Sequence, residues 1–201
     1  ETGYKNLIQL ASRSFMEGYY RKPKVDWELL EEHSEGLIAT TGCLGGHVLQ
    51  AMVPKAIMDP DKQQVDHLSE DERFDNAVKL GGRLQDIFGR DNLFVEIQDH
   101  GIPDQKRTNP QLLEIARRIG APLLATNDSH YTHQHDHVAH DALLCVQTGS
   151  MLSDPDRFKF EGDQHYLKTS QEMRYLFREL PEAWDNTLWI AERANVDITF
   201  G

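Results

Sequence analysis

The sequence predicts an α/β fold with mostly parallel strands, and three observations carry that expectation. Two short apolar runs, residues 92–98 (NLFVEIQ) and 122–126 (PLLAT), each break off into polar residues, as buried strands do at their ends. Between them, Leu112, Leu113, Ile115, Ala116 and Ile119 recur at helical spacing and Gly120 closes the segment, so strand, helix and strand form a βαβ unit with parallel strands. A third run, 36–43 (GLIATTGC), has the same strand grammar and ends at a glycine followed by a thiol.

Length and charge bound what such a fold can do. A chain of 201 residues with 39% hydrophobic content can bury a sizeable core, and it carries no internal repeat or low-complexity tract. No apolar run approaches a membrane span of about 20 residues, and the first residues lack a signal-peptide pattern, so the expectation is a soluble, cytoplasmic protein without a membrane partner. Two cysteines, Cys43 and Cys145, make no disulfide framework. With 33 acidic against 21 basic side chains the net charge is −12, which excludes nonspecific coating by nucleic acid, so any phosphate contact is local or carried by another part of a larger molecule.

Taken in order, residues 4–15 place Leu7, Ile8, Ala11 and Phe15 on one face of a helix expected to pack on the core, with Gly18 as its stop. Asp26 caps a short helix that runs to His33, read as solvated among glutamates. After the 36–43 strand, Leu44-Gly45-Gly46-His47 forms a strand-to-helix turn, either a tight turn that needs small residues or a set of amides facing an anion. Residues 54–72 are polar and read as an exposed insertion containing His67, and helical spacing resumes at 71–88 although Gly81-Gly82 interrupts it. Beyond His130, the histidines 133, 135 and 137 read as the exposed polar start of a helix whose apolar side holds a buried, inert Cys145. A short strand near Tyr166-Leu167-Lys168, a helix capped by Ser170 and a final helix over 179–194 complete the chain.

The chemistry is expected at the strand ends. Asp128 and His130 are two residues apart, so an extended backbone points both to one side, where a carboxylate and an imidazole suit zinc or manganese. The competing reading makes Asp128 a turn cap and His130 a satisfied surface histidine. Glu96 is costly to bury in its apolar run unless it points toward polar groups, and His100 follows the same strand; both are placed at the rim of a site. His47, four residues after Cys43, can share a metal with it on a helical turn, although a pair alone is a weak signal.

TTGC at 40–43, FVEIQDHG at 94–101, LLATNDSHY at 123–131, AHDALLCVQTG at 139–149 and FKFEGDQHYLKTSQEM at 158–173 together resemble the PHP domain of the alpha subunits of bacterial replicative DNA polymerase III, a C-family polymerase. The resemblance covers residues 3–197. It implies part of a distorted (β/α)7 PHP-type barrel whose N-terminal strands lie before residue 1, with 198–201 starting a linker toward the polymerase palm. It also implies a trinuclear zinc or manganese site in the intact domain, to which Cys43, Asp128 and His130 carry over as metal ligands, Asp128 and His130 being also the catalytic pair. The other ligands would precede residue 1, so the site is incomplete on this chain alone.

Three functions follow as expectations from that resemblance. In the first, the parent is a DNA-directed DNA polymerase whose PHP domain trims DNA 3′ ends as a 3′-to-5′ exonuclease, this chain alone being inactive. In the second, the domain is a structural module that supports the rest of the alpha subunit and docks a proofreading exonuclease subunit. In the third, it is a stand-alone PHP-type phosphatase.

Overall fold

The computed structural model describes residues 1–52 and 68–198, and its centre is the expected βαβ unit. Strand β2 (Leu93–Ile97) leads through α5 (Pro103–Ile119) into β3 (Leu123–Ala125), which pairs parallel to β2 with Val95 opposite Leu123 and Ile97 opposite Ala125. Strand β1 (Ala39–Thr40) pairs parallel on the other side of β2, giving the order β1-β2-β3. The predicted 36–43 strand shrinks to two residues because Gly42, with φ of 77°, bends the chain into the turn before Cys43. Among the described residues these strands form one three-stranded sheet.

All five residues of β2 are buried, as a strand covered on both faces requires. Val95 and Ile97 pack with Leu112 and Ile115 of α5, with Val48 and Leu49 of α3 (His47–Met52) and with Ala77 of α4 (Glu70–Phe88). Phe94 alternates to the opposite face and meets Trp189 of the last helix edge-on at 5.3 Å. Helix α4 runs unbroken through Gly81-Gly82, and Gly81 lies where a side chain would press on Ile115 and Ile119, so this glycine sets the close approach of α4 and α5. Ser69 and Glu72 form a reciprocal capping box at its start, which makes residues 70–72 helical rather than part of the polar insertion; the insertion's residues 54–67, with His67, lie outside the described residues.

Helix α1 (Thr2–Met16) buries a different stripe from the one expected. Gly3, Leu10 and Ser14 face inward, whereas Leu7, Ile8 and Phe15 stay 52%, 46% and 62% exposed. The reason is steric: Gly3 sits against the backbone of Gly36, where a β-carbon would overlap the Gly36 carbonyl oxygen, so only the glycine face can approach. His33 is half-buried rather than solvated, because the C-cap of α2 (Trp27–Glu32) brings its ring between Asn6 and Arg13 of α1, at 3.4 and 3.3 Å.

Beyond β3 the chain turns into α6 (His137–Thr148), α7 (Ser170–Leu176) and α8 (Pro181–Arg193). Thr169, not Ser170, caps α7, since its hydroxyl is the one that pairs with Glu172 in a capping box. Helix α8 packs on β3, and its Asn186 donates from Nδ2 to the Leu123 carbonyl at 2.7 Å. None of the described helices is long and apolar enough to cross a membrane.

Candidate metal centre

The polar layer at the C-terminal ends of β2 and β3 starts where β3 stops. Asp128 adopts φ of 44°, in the left-handed region that a short polar side chain tolerates better than most. This kink ends the strand and releases Ser129-His130-Tyr131 alongside a later segment. The His130 amide donates to the His165 carbonyl at 2.8 Å, the Leu167 amide donates to the Tyr131 carbonyl at 3.0 Å, and Tyr131 bridges Tyr166 in parallel. The strand predicted near Tyr166 is therefore this single bridge, and its effect is to deliver His165 to the site.

Asp128, His130 and His165 offer ligand atoms that all lie within 4.8 Å of one another. Asp128 Oδ1 and His130 Nε2 are 3.2 Å apart. Two imidazoles and a carboxylate are a donor set suited to zinc, manganese or ferrous iron, so these residues fit the kind of ion that the sequence calls for. Burial, with the neighbouring His100 as the next cause, pushes the His165 imidazole down to about 4, so it is uncharged and free to ligate near neutral pH. Asp128 and His130 thus lie side by side, together with His165, which the sequence reading did not single out. A usable signal existed: reading Tyr166 as the start of a strand beside Asp-x-His places the residue before it at the same rim.

Aromatic rings pack around the triad. Phe160 meets His130, His165 and His140 at ring-centroid distances of 4.5, 4.8 and 5.0 Å. Beneath His165, the buried His100 ring stacks at 3.9 Å with an interplanar angle of 18°. Its Nε2 donates to the Asn127 carbonyl at 2.6 Å, which leaves Nδ1 to accept from Gln105 Nε2 at 2.8 Å. The side-chain Oε1 of Gln105 in turn accepts from the His100 backbone amide at 2.7 Å. With both ring nitrogens engaged, His100 supports His165 and Asn127 from below instead of standing at the rim.

The remaining candidates lie elsewhere in the layer. Glu96 is buried and accepts from Gln98 Nε2 at 3.0 Å and from the Thr126 hydroxyl, so polar neighbours at the strand end offset its burial, as its position in an apolar run requires. It shares a small pocket with Cys43, whose Sγ accepts from the Gly45 amide at 3.4 Å. Cys43 is not a member of the Asp128–His130–His165 group. In the turn that follows, the Gly46 amide donates to the Cys43 carbonyl at 2.7 Å, and a β-carbon on Gly46 would overlap the Thr41 carbonyl oxygen. The amides of Gly45 and Gly46 thus close the turn itself. His47 is exposed, its ring 6.3 Å from that of Trp27.

The chain was also compared with known proteins. Residues 1–100 match the family model described as PHP domain. The chain is 43% identical over 198 residues to DNA polymerase III subunit alpha of Treponema pallidum, covering 98% of this chain and 16% of that protein. The subunit of Saccharopolyspora erythraea is 46% identical over 193 residues, covering 96% and 15%, and that of Thermus aquaticus 42% over 203 residues, covering 100% and 15%. The first 100 residues of this chain belong to the PHP domain family. It spans about a sixth of the length of the curated relatives it matches, and the similarity runs through the PHP-matched residues and on across the Asp128–His130–His165 layer.

Proposed function

We propose that this PHP segment is part of the alpha subunit of a bacterial replicative DNA polymerase, and that its strand-end layer is part of a phosphoesterase site that trims DNA 3′ ends. The observation that carries this reading is the convergence of Asp128, His130 and His165 within 4.8 Å just beyond β3, in a chain 42–46% identical to such subunits. In the intact domain the sheet would continue into the (β/α)7 barrel, with Cys43 contributing a further ligand from the end of β1.

A divalent ion held here, zinc or manganese, supplies a Lewis acid for the phosphodiester and acidifies a water. The protein's part is positional. The left-handed turn at Asp128 and the bridge at Tyr131 hold the carboxylate and both imidazoles in one place, while His100 and Phe160 fix the imidazole planes. DNA, presented as a 3′ end by the rest of the subunit, is the partner in this reading.

The test uses the full-length polypeptide that contains this segment, assayed for trimming of single-stranded DNA 3′ ends with manganese or zinc. Trimming by wild type and its loss in Asp128→Asn and His130→Ala, with polymerase activity intact, is the expected result. A wild-type protein that polymerises but does not trim would instead favour a structural module that docks a separate proofreading subunit.

A further inference from the structure

A cavity of about 290 Å³ adjoins the ring cluster of the candidate metal centre, since Phe160 and His140, which surround His130, also line it. The Tyr131 ring and Val138 and Leu144 of α6 add apolar surface to its lining. Part of the lining is an ion pair that satisfies itself. Arg157, with only 9% of its side chain exposed, holds both Asp141 oxygens, at 2.5 and 2.6 Å. Lys159 also lines the cavity, and its ammonium is near enough to Asp141 to help Arg157 hold that carboxyl below its usual range.

These features select one kind of ligand. The volume sits at the small end of ligand pockets, which run from roughly 300 to 1,000 Å³, so it admits one ring system with an attached sugar and excludes a duplex. Aromatic and aliphatic walls suit the faces of a heterocycle. In a chain of net charge −12, the Lys159 ammonium, left without its own hydrogen-bonded carboxylate because Arg157 holds both Asp141 oxygens, is the local cation that a phosphate needs. We propose that the cavity holds the terminal nucleoside of a single DNA strand, its base between Phe160, Tyr131 and the α6 aliphatics and its phosphate on Lys159, beside Asp128, His130 and His165. This deepens the phosphoesterase reading and rests on it.

Calorimetric titration of the full-length polypeptide with dTMP, thymidine and inorganic phosphate tests the pocket without reference to turnover. Four proteins are compared: wild type, Lys159→Ala, Lys159→Arg and Val138→Trp, the last carrying a bulky ring at an exposed position on the cavity wall. The expected pattern is dTMP binding that weakens about tenfold in Lys159→Ala, returns in Lys159→Arg and is lost in Val138→Trp, with thymidine insensitive to Lys159. Absence of wild-type dTMP binding, or wild-type affinity in both Lys159→Ala and Val138→Trp, overturns the pocket. A trimming assay on the same proteins separates the two readings. If wild type trims and the KM for DNA is unchanged in Lys159→Ala and Val138→Trp, the pocket falls and the nuclease reading stands. If wild type does not trim but the dTMP pattern appears, the nucleoside pocket stands and the nuclease reading falls.

Discussion

In the β2–α5–β3 unit the packed residues are apolar and close in sequence, with Val95, Ile97, Leu112, Ile115 and Leu123 in one cluster. In the layer beyond β3 the contacts are polar and join distant segments: His130 to His165, Asn127 to Tyr166, Gln98 to Thr126. Burial of apolar area tolerates small errors of position, whereas a metal-ligand set does not, so the first region is expected to set stability and the second to set chemistry. Variants that damage one and spare the other are the direct way to break this division.

The largest expected effect lies in the sheet. Phe94 is fully buried against Trp189, and Phe94→Ala removes a ring that nothing nearby can replace, at a cost of about 3–5 kcal/mol. Hydrogen exchange of the β2 and β3 amides should show that loss. Asp128→Asn, in contrast, keeps a residue type that accepts the left-handed backbone and should leave exchange within about 0.5 kcal/mol of wild type while abolishing metal uptake. Loss of sheet protection in Asp128→Asn would break the division.

The difference also decides what could be read from sequence. Helical period, glycine stops and apolar runs are local signals, and they placed β2, α5 and β3 within a few residues. Asp128 and His130 were legible as a carboxylate and an imidazole two residues apart just past an apolar run, although the backbone there is kinked at Asp128 rather than extended as the sequence reading assumed. His165 was not, because the strand signal near Tyr166 does not say which distant segment it pairs with, and the Tyr131–Tyr166 bridge that brings it there joins positions about 35 apart in the chain. The face of α1 was misread for a related reason: Leu7, Ile8 and Phe15 are the more apolar stripe, but the close approach at Gly36 admits only Gly3.

A pH series sharpens the comparison next. His165 has its pKa lowered from 6.5 to about 4 by burial first, then by His100, so the folded state disfavours its protonation. Between those values the unfolded chain binds the extra proton, so this contribution is complete above pH 6.5 and is lost as pH falls toward 4, with an upper bound of about 3 kcal/mol. Wild type should lose stability over that window, and His165→Gln should be flatter there; equal slopes would place the acid sensitivity in another group.

A smaller effect is expected where the two regions meet at the Cys43 turn. A β-carbon at Gly46 would meet the backbone oxygen of Thr41, which cannot swing aside as a side chain could. Gly46→Ala should therefore cost about 1–3 kcal/mol through a shifted turn, whereas Gly45→Ala, which would meet only the Cys43 sulfur at ordinary contact distance, should be close to neutral. Urea midpoints that move equally for both would mean that the turn is looser than its hydrogen bonds indicate.

The smallest effect concerns the outer side of β3. Among the described residues the Leu123 carbonyl is met not by another strand but by the Asn186 amide of α8, which donates at 2.7 Å. Asn186→Ala leaves that carbonyl to water and should cost about 1 kcal/mol. Asn186→Asp is nearly isosteric but puts a carboxylate against the carbonyl, an acceptor facing an acceptor, so it should cost more than alanine at neutral pH and recover part of the difference as acid protonates it. Exchange of the β3 amides in the two variants gives the order directly. Alanine worse than aspartate would mean that Asn186 supports β3 by filling space, and the polar means of covering a strand edge would then belong to the site layer alone.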